Sequence, residues 1–248
     1  MNELALARDA VAGSHHPVVF SGAGLSADSG LPTFRDQGEG FWERHDPHEL
    51  ASVEGFRKDP ELVLSWYAMR RRLYAEVEPN PAHLAIASSG VLNITQNVDG
   101  LLKRAGVDAA RIAHLHGRIN HDRCHSGCGH LREVDMKNAT QDLGRCPDCG
   151  DAMRPDVVWF GEGLPSSQWT RATRWCEEAD CLLVVGTSAV VEPAAGLVGF
   201  ARRNGAVIID VNPHRVGVEE LVDIKVRMGA AEAIPAILGM DAADPSLK

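Results

Sequence analysis

At 248 residues, 44% hydrophobic and without a long low-complexity tract, the chain can bury a sizeable core as one large domain or a large domain with a small module, and it reads as globular and soluble. Its 34 acids against 25 bases give a formal charge of −9, which disfavours a general nucleic-acid scaffold and suits basic partners such as lysine-bearing proteins. Nothing approaches the 18 or more consecutive apolar residues of a membrane span, and acids interrupt residues 1–13, unlike a signal or transit peptide. The cytoplasm is therefore the expected compartment, and in it six cysteines are metal ligands or buried thiols rather than disulfides.

Leu4, Leu6, Ala7, Ala10 and Val11 recur at helical spacing, which predicts a helix over 3–12 leading through Gly13 to a first strand. The apolar run over 17–20 enters Gly22-Ala23-Gly24-Leu25-Ser26-Ala27. Gly22, Gly24 and Ala27 fit the form G-x-G-x-x-G/A, in which missing or small side chains let the backbone turn tightly, approach a pyrophosphate and aim amide N–H groups at it. An ordinary dinucleotide fold would run on through a helix to a second strand ending in Asp or Glu about 20 residues later. Residues 36–42 do not read as a strand, so the loop is expected to cover its ligand, with the ribose contact supplied from elsewhere.

Asp59-Pro60-Glu61 offers an N-cap and a first-position proline for a helix running to about Val77, and a second helix begins at Pro79-Asn80-Pro81-Ala82. Between them these helices read as an insertion, bounded at 37–78, on a nucleotide domain of residues 1–36, 79–117 and 156–248. Strands are predicted over 91–95, ending in Gln96-Asn97-Val98-Asp99-Gly100, and over 112–115, ending in His116-Gly117. Three more cover 181–185 before Gly186-Thr187-Ser188, 206–211 before Asn212, and 224–227 before Gly229-Ala230-Ala231. Alternation with helical runs such as 194–203 argues for an α/β fold built on a doubly wound, Rossmann-like parallel sheet, whose strand ends are where such sheets bind ligands.

Between these halves, over 118–155, Cys124-x3-Cys128 and Cys146-x2-Cys149 form two chelating pairs that suit one tetrahedral Zn²⁺. A module of this size cannot fold on its own core, so the metal's binding energy would hold it, and four thiolates leave no open position for chemistry. His125 and His130 are the competing ligands. Cys176 and Cys181, at a helix end and a strand start, are expected to be core thiols.

Gly22-Ala23-Gly24-Leu25-Ser26 with Gly30-Leu31-Pro32-Thr33-Phe34-Arg35 resembles the opening motif of the sirtuins, NAD-dependent protein-lysine deacylases. Gln96-Asn97-Val98-Asp99 and His116-Gly117 resemble the family's nicotinamide-pocket and catalytic-histidine motifs, so the likeness runs over nearly the whole chain. It implies NAD as cofactor, one structural zinc ion, acyl-lysine proteins as substrates, and neither membrane nor nucleic acid as partner; a monomer is expected. In the family's route nicotinamide leaves NAD, the acyl-lysine carbonyl oxygen attacks the ribose to give an O-alkylimidate, and a base then deprotonates a ribose hydroxyl. His116, titrating near neutrality, suits that base, while Asn97 and Asp99 would orient carboxamide and ribose.

The resemblance assigns NAD contacts to Gly22, Ala23, Gly24, Ser26, Thr33, Phe34, Arg35, Trp42 and Gln96 through Asp99, Val98 included. It places Gly186, Thr187, Ser188, Asn212, Pro213, His214 and Ala231 around the adenosine half, although His214 stands where many members carry an acid. Val157-Val158-Trp159-Phe160-Gly161-Glu162 resembles the acyl-lysine channel, with Val158, Phe160 and Gly161 as contacts and an extended backbone able to pair with a peptide.

Tyr67 and Arg70 lie three apart on a predicted helix and so share a face, whereas Arg70-Arg71-Arg72 with Glu76 would by itself read as a solvated charged surface. Tyr-x-x-Arg ahead of Asn80-Pro81-Ala82-His83 resembles the sirtuins that remove succinyl, malonyl and glutaryl groups, with Ala51 as the small residue widening the pocket. Desuccinylation with retained deacetylation is the expectation this resemblance carries. The rival readings are an ADP-ribosyltransferase using the same NAD cleavage, and a non-catalytic NAD-binding or zinc interaction module.

Overall fold

The structure, a computed structural model, describes residues 2–32, 46–215 and 217–240. In chain order its strands are β1 (Pro17–Ser21), β2 (Leu92–Thr95), β3 (Ile112–His114), β4 (Gly117–Cys124), β5 (Leu131–Glu133), β6 (Met153–Val157), β7 (Cys181–Val185), β8 (Val207–Val211) and β9 (Ile224–Val226). Six of them form one parallel sheet in the order β3-β2-β1-β7-β8-β9, and β5-β4-β6 form a separate antiparallel sheet.

Side chains alternate across a strand, and here both faces are buried, which explains the unbroken apolar run of β7. Val19, Leu183, Val185 and Ile209 point to one layer, where they meet Ala7 and Val11 of α1 (Glu3–Ala12), Ile86 of α5 (Pro81–Ser89) and Ile234 of α9 (Ala230–Ile237). Val18, Phe20, Leu182 and Val184 point to the other, against Trp175 of α7 (Ser166–Glu178) and Leu197 and Val198 of α8 (Gly196–Arg203). The doubly wound α/β reading of the sequence describes this sheet. α5 lies on it with α1 and α9, apart from the helix before it in the chain.

That earlier helix, α4 (Pro60–Glu76), starts where expected, with Asp59 Oδ1 accepting from the Leu62 N–H at 2.9 Å. With α2 (Pro47–Leu50) and α3 (Val53–Lys58) it builds a third core from Leu50, Phe56, Val63, Trp66, Tyr67 and Tyr74 against Ile119 and Trp159. The arginine run of α4 is not a uniformly solvated face, since Arg70 is half-buried and Arg71 buried while Arg72 alone is exposed. Arg71 is 1% exposed and donates to the Ile119 carbonyl at 2.8 Å, the His121 carbonyl at 3.0 Å and Asp122 at 2.7 Å. Arg72 donates to the Ala139 carbonyl at 2.7 Å. These two side chains tie α4 to the antiparallel sheet and the loop after β5, and because Asp122 is as buried as Arg71, removing Asp122 would leave the Arg71 charge uncompensated in the interior, whereas Asp122 keeps a second partner in Arg132 at 2.9 Å.

Candidate active site

The parallel sheet reverses its winding between β1 and β7, and the glycine loop leaves β1 at that switch point, where open α/β sheets leave a crevice. Short 3₁₀ turns at Ala23–Leu25 and Ala27–Ser29 follow in place of a regular helix, in keeping with a loop that does not open a simple βαβ unit. Gly24 N–H donates to the Gly186 carbonyl at 2.8 Å. A Cβ on Gly22 would lie 2.6 Å from Thr187 Cβ, and one on Gly24 would lie 2.7 Å from Gly186 Cα. The two loops cross backbone on backbone, so the glycines are needed for that crossing before any pyrophosphate is considered.

Around the crossing, strand-end side chains from both halves of the sheet lock together. Gln96 Nε2 donates to Thr187 Oγ1 at 2.9 Å, Asn212 Nδ2 donates to the Thr187 carbonyl at 3.1 Å, and the Ala231 N–H donates to Asp28 at 3.2 Å. Ser188 accepts the Gly217 N–H on its carbonyl at 2.9 Å. His214 and Pro213 are exposed, with the His214 N–H donating to Asn212 Oδ1 at 3.3 Å. Ala23 is half-buried beside the crossing. Thr33, Phe34, Arg35 and Trp42 lie outside the described residues.

Ser26 is the hub of a buried polar network. Its Oγ donates to Asp99 at 2.7 Å, accepts from Asn97 Nδ2 at 3.2 Å and lies 3.4 Å from His83 Nε2, while Asn97 Nδ2 also reaches the Gly22 carbonyl at 3.0 Å. Asp99 accepts the Leu101 N–H at 2.9 Å; burial pushes its carboxyl up, opposed by that N–H and by Ser26. His83 is fully buried, and burial pushes its imidazole down to about 4, so it stays neutral. Its Nδ1 accepts the Asn80 N–H at 3.3 Å within a capping box that also fixes Asn80 Nδ2 on the Leu25 carbonyl at 2.8 Å. In the sequence Asn80 marks a helix start and His83 only a subgroup; the Asn-Pro-x-His spacing is the signal for their capping geometry.

His116 follows β3 and is half-buried. Burial lowers its imidazole below 6.5, and a hydrogen bond with the Gln96 backbone opposes that shift. Its carbonyl accepts the Val158 N–H at 2.9 Å, which places the 157–162 segment beside it. Gly117, at φ +82°, could not carry a Cβ there, since it would meet the Asp156 carbonyl at 2.1 Å. The Val98 carbonyl takes the Ile119 N–H at 2.9 Å, drawing the Asn97 and Asp99 loop to the same corner.

Phe160 is exposed against His48, Gly161 is exposed at φ +84°, and the Phe160 N–H donates to the Ala51 carbonyl at 2.8 Å. Trp159 does not share that exposure. It is 1% exposed, its Nε1–H donates to Tyr67 Oη at 2.9 Å, and the Arg154 guanidinium lies 3.8 Å over its ring. Glu162 closes this arrangement by accepting from Arg154 at 2.5 Å, Arg123 at 3.1 Å and the Trp159 N–H at 2.9 Å. In the sequence Glu162 stands only as the end of the channel-like segment, without a role of its own, and Arg154 and Arg123 are not singled out; the hint for them is a charged residue at an inward position of β6.

The four cysteine Sγ atoms, on and after β4 and ahead of β6, lie within 4.8 Å of one another, with Cys124 to Cys149 at 3.4 Å and Cys128 to Cys146 at 3.5 Å. A tetrahedron of Zn–S bonds of about 2.3 Å has edges of about 3.8 Å, so the cluster fits one closed, structural zinc ion. His130 turns instead to Asp148 at 3.0 Å. Cys176 and Cys181 are buried, each pushed by burial up to about 12, as inert core thiols should be. Chelation or Cys146→Ser is expected to loosen residues 118–155 and lower Tm by about 5 °C or more, with activity falling because Arg123 and Arg154 no longer hold Glu162. Metal analysis beside thermal melts checks this; metal loss with unchanged Tm would contradict a structural role.

Residues 22–193 match the Sir2 family. A protein of Mycobacterium tuberculosis (strain ATCC 25177 / H37Ra) named NAD-dependent protein deacylase is 45% identical over 229 residues, 89% of this chain and 95% of its own. The crystal structure of a Sir2 homologue with NAD superposes with a TM-score of 0.87 at 41% identity, covering 96% of this chain and 93% of that one. Sir2Af2 bound to a myristoylated histone peptide superposes with a TM-score of 0.74 at 32% identity, covering 96% and 95%. On this evidence of sequence and fold together, the chain belongs to the Sir2 family, the sirtuins.

Proposed function

We propose that the chain is an NAD-dependent protein-lysine deacylase that removes succinyl and malonyl groups as well as acetyl, releasing nicotinamide, O-acyl-ADP-ribose and free lysine. NAD supplies the activated ribose that takes the acyl group. His116 accepts a proton from a ribose hydroxyl, and Asn97 and Asp99, held by Gly22 and Ser26, orient the carboxamide and ribose. Val158, Phe160 and Gly161 line the lysine channel, whose exposed Phe160 and Gly161 are open to a peptide. The protein is read as a cytoplasmic monomer acting on acyl-lysine proteins.

One observation carries the acidic-acyl reading. Among the described residues no carboxylate pairs with the half-buried Arg70, although its guanidinium sits 4.6 Å from the Trp66 ring centroid and 5.7 Å from that of Tyr67. A cation held against aromatic faces, with the buried Asp99 acting on it only through space and no carboxylate bonded to it among the described residues, is ready to take one with a substrate. Tyr67 adds a donor. Its oxygen already accepts from Trp159, and burial, the largest influence, pushes its phenol up to about 12, so it keeps its proton throughout the assay range. Acetyl-, succinyl- and malonyl-lysine versions of one peptide, assayed with NAD for free lysine, test the proposal. Comparable or faster turnover of the acidic acyl groups supports it, and ADP-ribose found on lysine would identify a transferase instead.

The pH profile is fixed by His116. Only the neutral imidazole can accept a proton, and its burial lowers the pKa from 6.5. kcat/KM is therefore expected to level off on the alkaline side and to fall as pH drops through a pKa below 6.5, approaching tenfold per unit. An acid limb centred above 6.5 in the pH–rate profile would contradict the assignment.

A further inference from the structure

Tyr67, Arg70 and Tyr74 fall at positions i, i+3 and i+7 of α4, so one face presents a phenol, a guanidinium and a second phenol. Arg70 Nη2 donates to Tyr74 Oη at 2.5 Å, and the guanidinium carbon lies 5.1 Å from the Tyr74 ring centroid. Arg71, the next residue, is instead bonded to the Asp122 carboxylate. The chemical difference matters. A carboxylate partner would orient an arginine and neutralise it together, whereas a phenol oxygen orients it and leaves the full positive charge.

Tyr74 is itself fixed. It is 9% exposed within the cluster that holds Trp66, Tyr67 and Trp159, and its carbonyl accepts from Arg104 Nη1 at 3.0 Å, while Arg104 Nη2 reaches Glu78 at 2.9 Å. Without that anchor a long, flexible guanidinium would have to be ordered by the substrate. We propose that Tyr74 is a specificity-determining positioning residue: its phenol oxygen holds the Arg70 guanidinium in place without neutralising it, and with no described carboxylate bonded to it, for the carboxylate of an acidic acyl-lysine. This rests on the acidic-acyl reading above and adds to it a residue that the Tyr-x-x-Arg motif does not contain.

The test uses the full chain and steady-state kinetics on succinyl- and acetyl-lysine versions of one peptide. Tyr74→Phe keeps the ring and removes only the acceptor. It is expected to raise KM for the succinyl peptide roughly 5- to 10-fold with kcat within about twofold, and to leave acetyl KM and Tm near wild type. Tyr74→Glu places a carboxylate within reach of Arg70 and is expected to lower succinyl kcat/KM further, by roughly 100-fold. In an Arg70→Met background, Tyr74→Phe should have no further effect on succinyl KM, because the two act through one contact. A wild-type succinyl KM in Tyr74→Phe, equal losses on both peptides, or additive effects in the double variant would overturn the role given to Tyr74. If Arg70→Met alone fails to separate the two peptides, the acidic-acyl reading itself falls; if it separates them while Tyr74→Phe does not, only Tyr74 is wrong.

Discussion

His116→Ala is expected to lower NAD-dependent deacylation about 10²-fold or more, the usual contribution of a positioned general base, while leaving folding and NAD affinity close to wild type. The reason the fold should survive is local. The bond that places the 157–162 segment beside the site uses the His116 carbonyl, which alanine retains, and the tight turn after it depends on Gly117 rather than on the imidazole. The side chain is only half-buried, and what it gives up is its bond with the Gln96 backbone. Gln96 keeps its place through Thr187. Thermal melts, NAD titration and single-turnover release of free lysine together check this, and activity within a few-fold of wild type would remove His116 from the role of base.

The parallel sheet was legible because both its faces are covered: β7 and β8 are apolar at nearly every position, and the polar residues that follow each strand mark its carboxyl end. The purpose of the glycines was less legible. The pattern G-x-G-x-x-A signals a tight turn, but it cannot show that Gly22 and Gly24 face Thr187 and Gly186, more than 160 positions away, and are demanded by that packing. Arg71 misled for a related reason. Charge in a sequence reads as solvent exposure, which holds for Arg72, but Arg71 is buried because its acceptors, Ile119 and Asp122, come from another sheet. Trp159 enters the sequence reading only as a member of the channel-like segment, and nothing there shows that its indole N–H is the donor that leaves the Tyr67 proton free. Hydrogen-bond polarity of this kind depends on which neighbour is donor-only, and no spacing rule reports it.

Arg70→Met is expected to lower kcat/KM for a succinyl-lysine peptide roughly 10- to 100-fold and to leave the acetyl peptide within a few-fold of wild type. A succinyl carboxylate that enters an apolar channel loses its water and, without a partner, would be disfavoured by several kcal/mol. A charge-assisted hydrogen bond contributes about 1.5 to 3 kcal/mol, which sets the size of the loss. Methionine is the apt replacement because its unbranched chain can keep contact with the Trp66, Tyr67 and Tyr74 rings that now surround the guanidinium. An acetyl group brings no charge, so it neither gains from Arg70 nor misses it. Tyr67→Phe should shift selectivity in the same direction and by less, since it removes one neutral donor. It should also cost stability, because the buried Trp159 Nε1–H loses its acceptor at about 1 to 3 kcal/mol, so its kinetics must be read beside its Tm. The decisive quantity is the succinyl-to-acetyl ratio in each variant. If Arg70→Met lowers both activities equally, Arg70 serves the packing of α4 alone and acidic-acyl recognition is excluded, while NAD-dependent deacylation would still rest on His116.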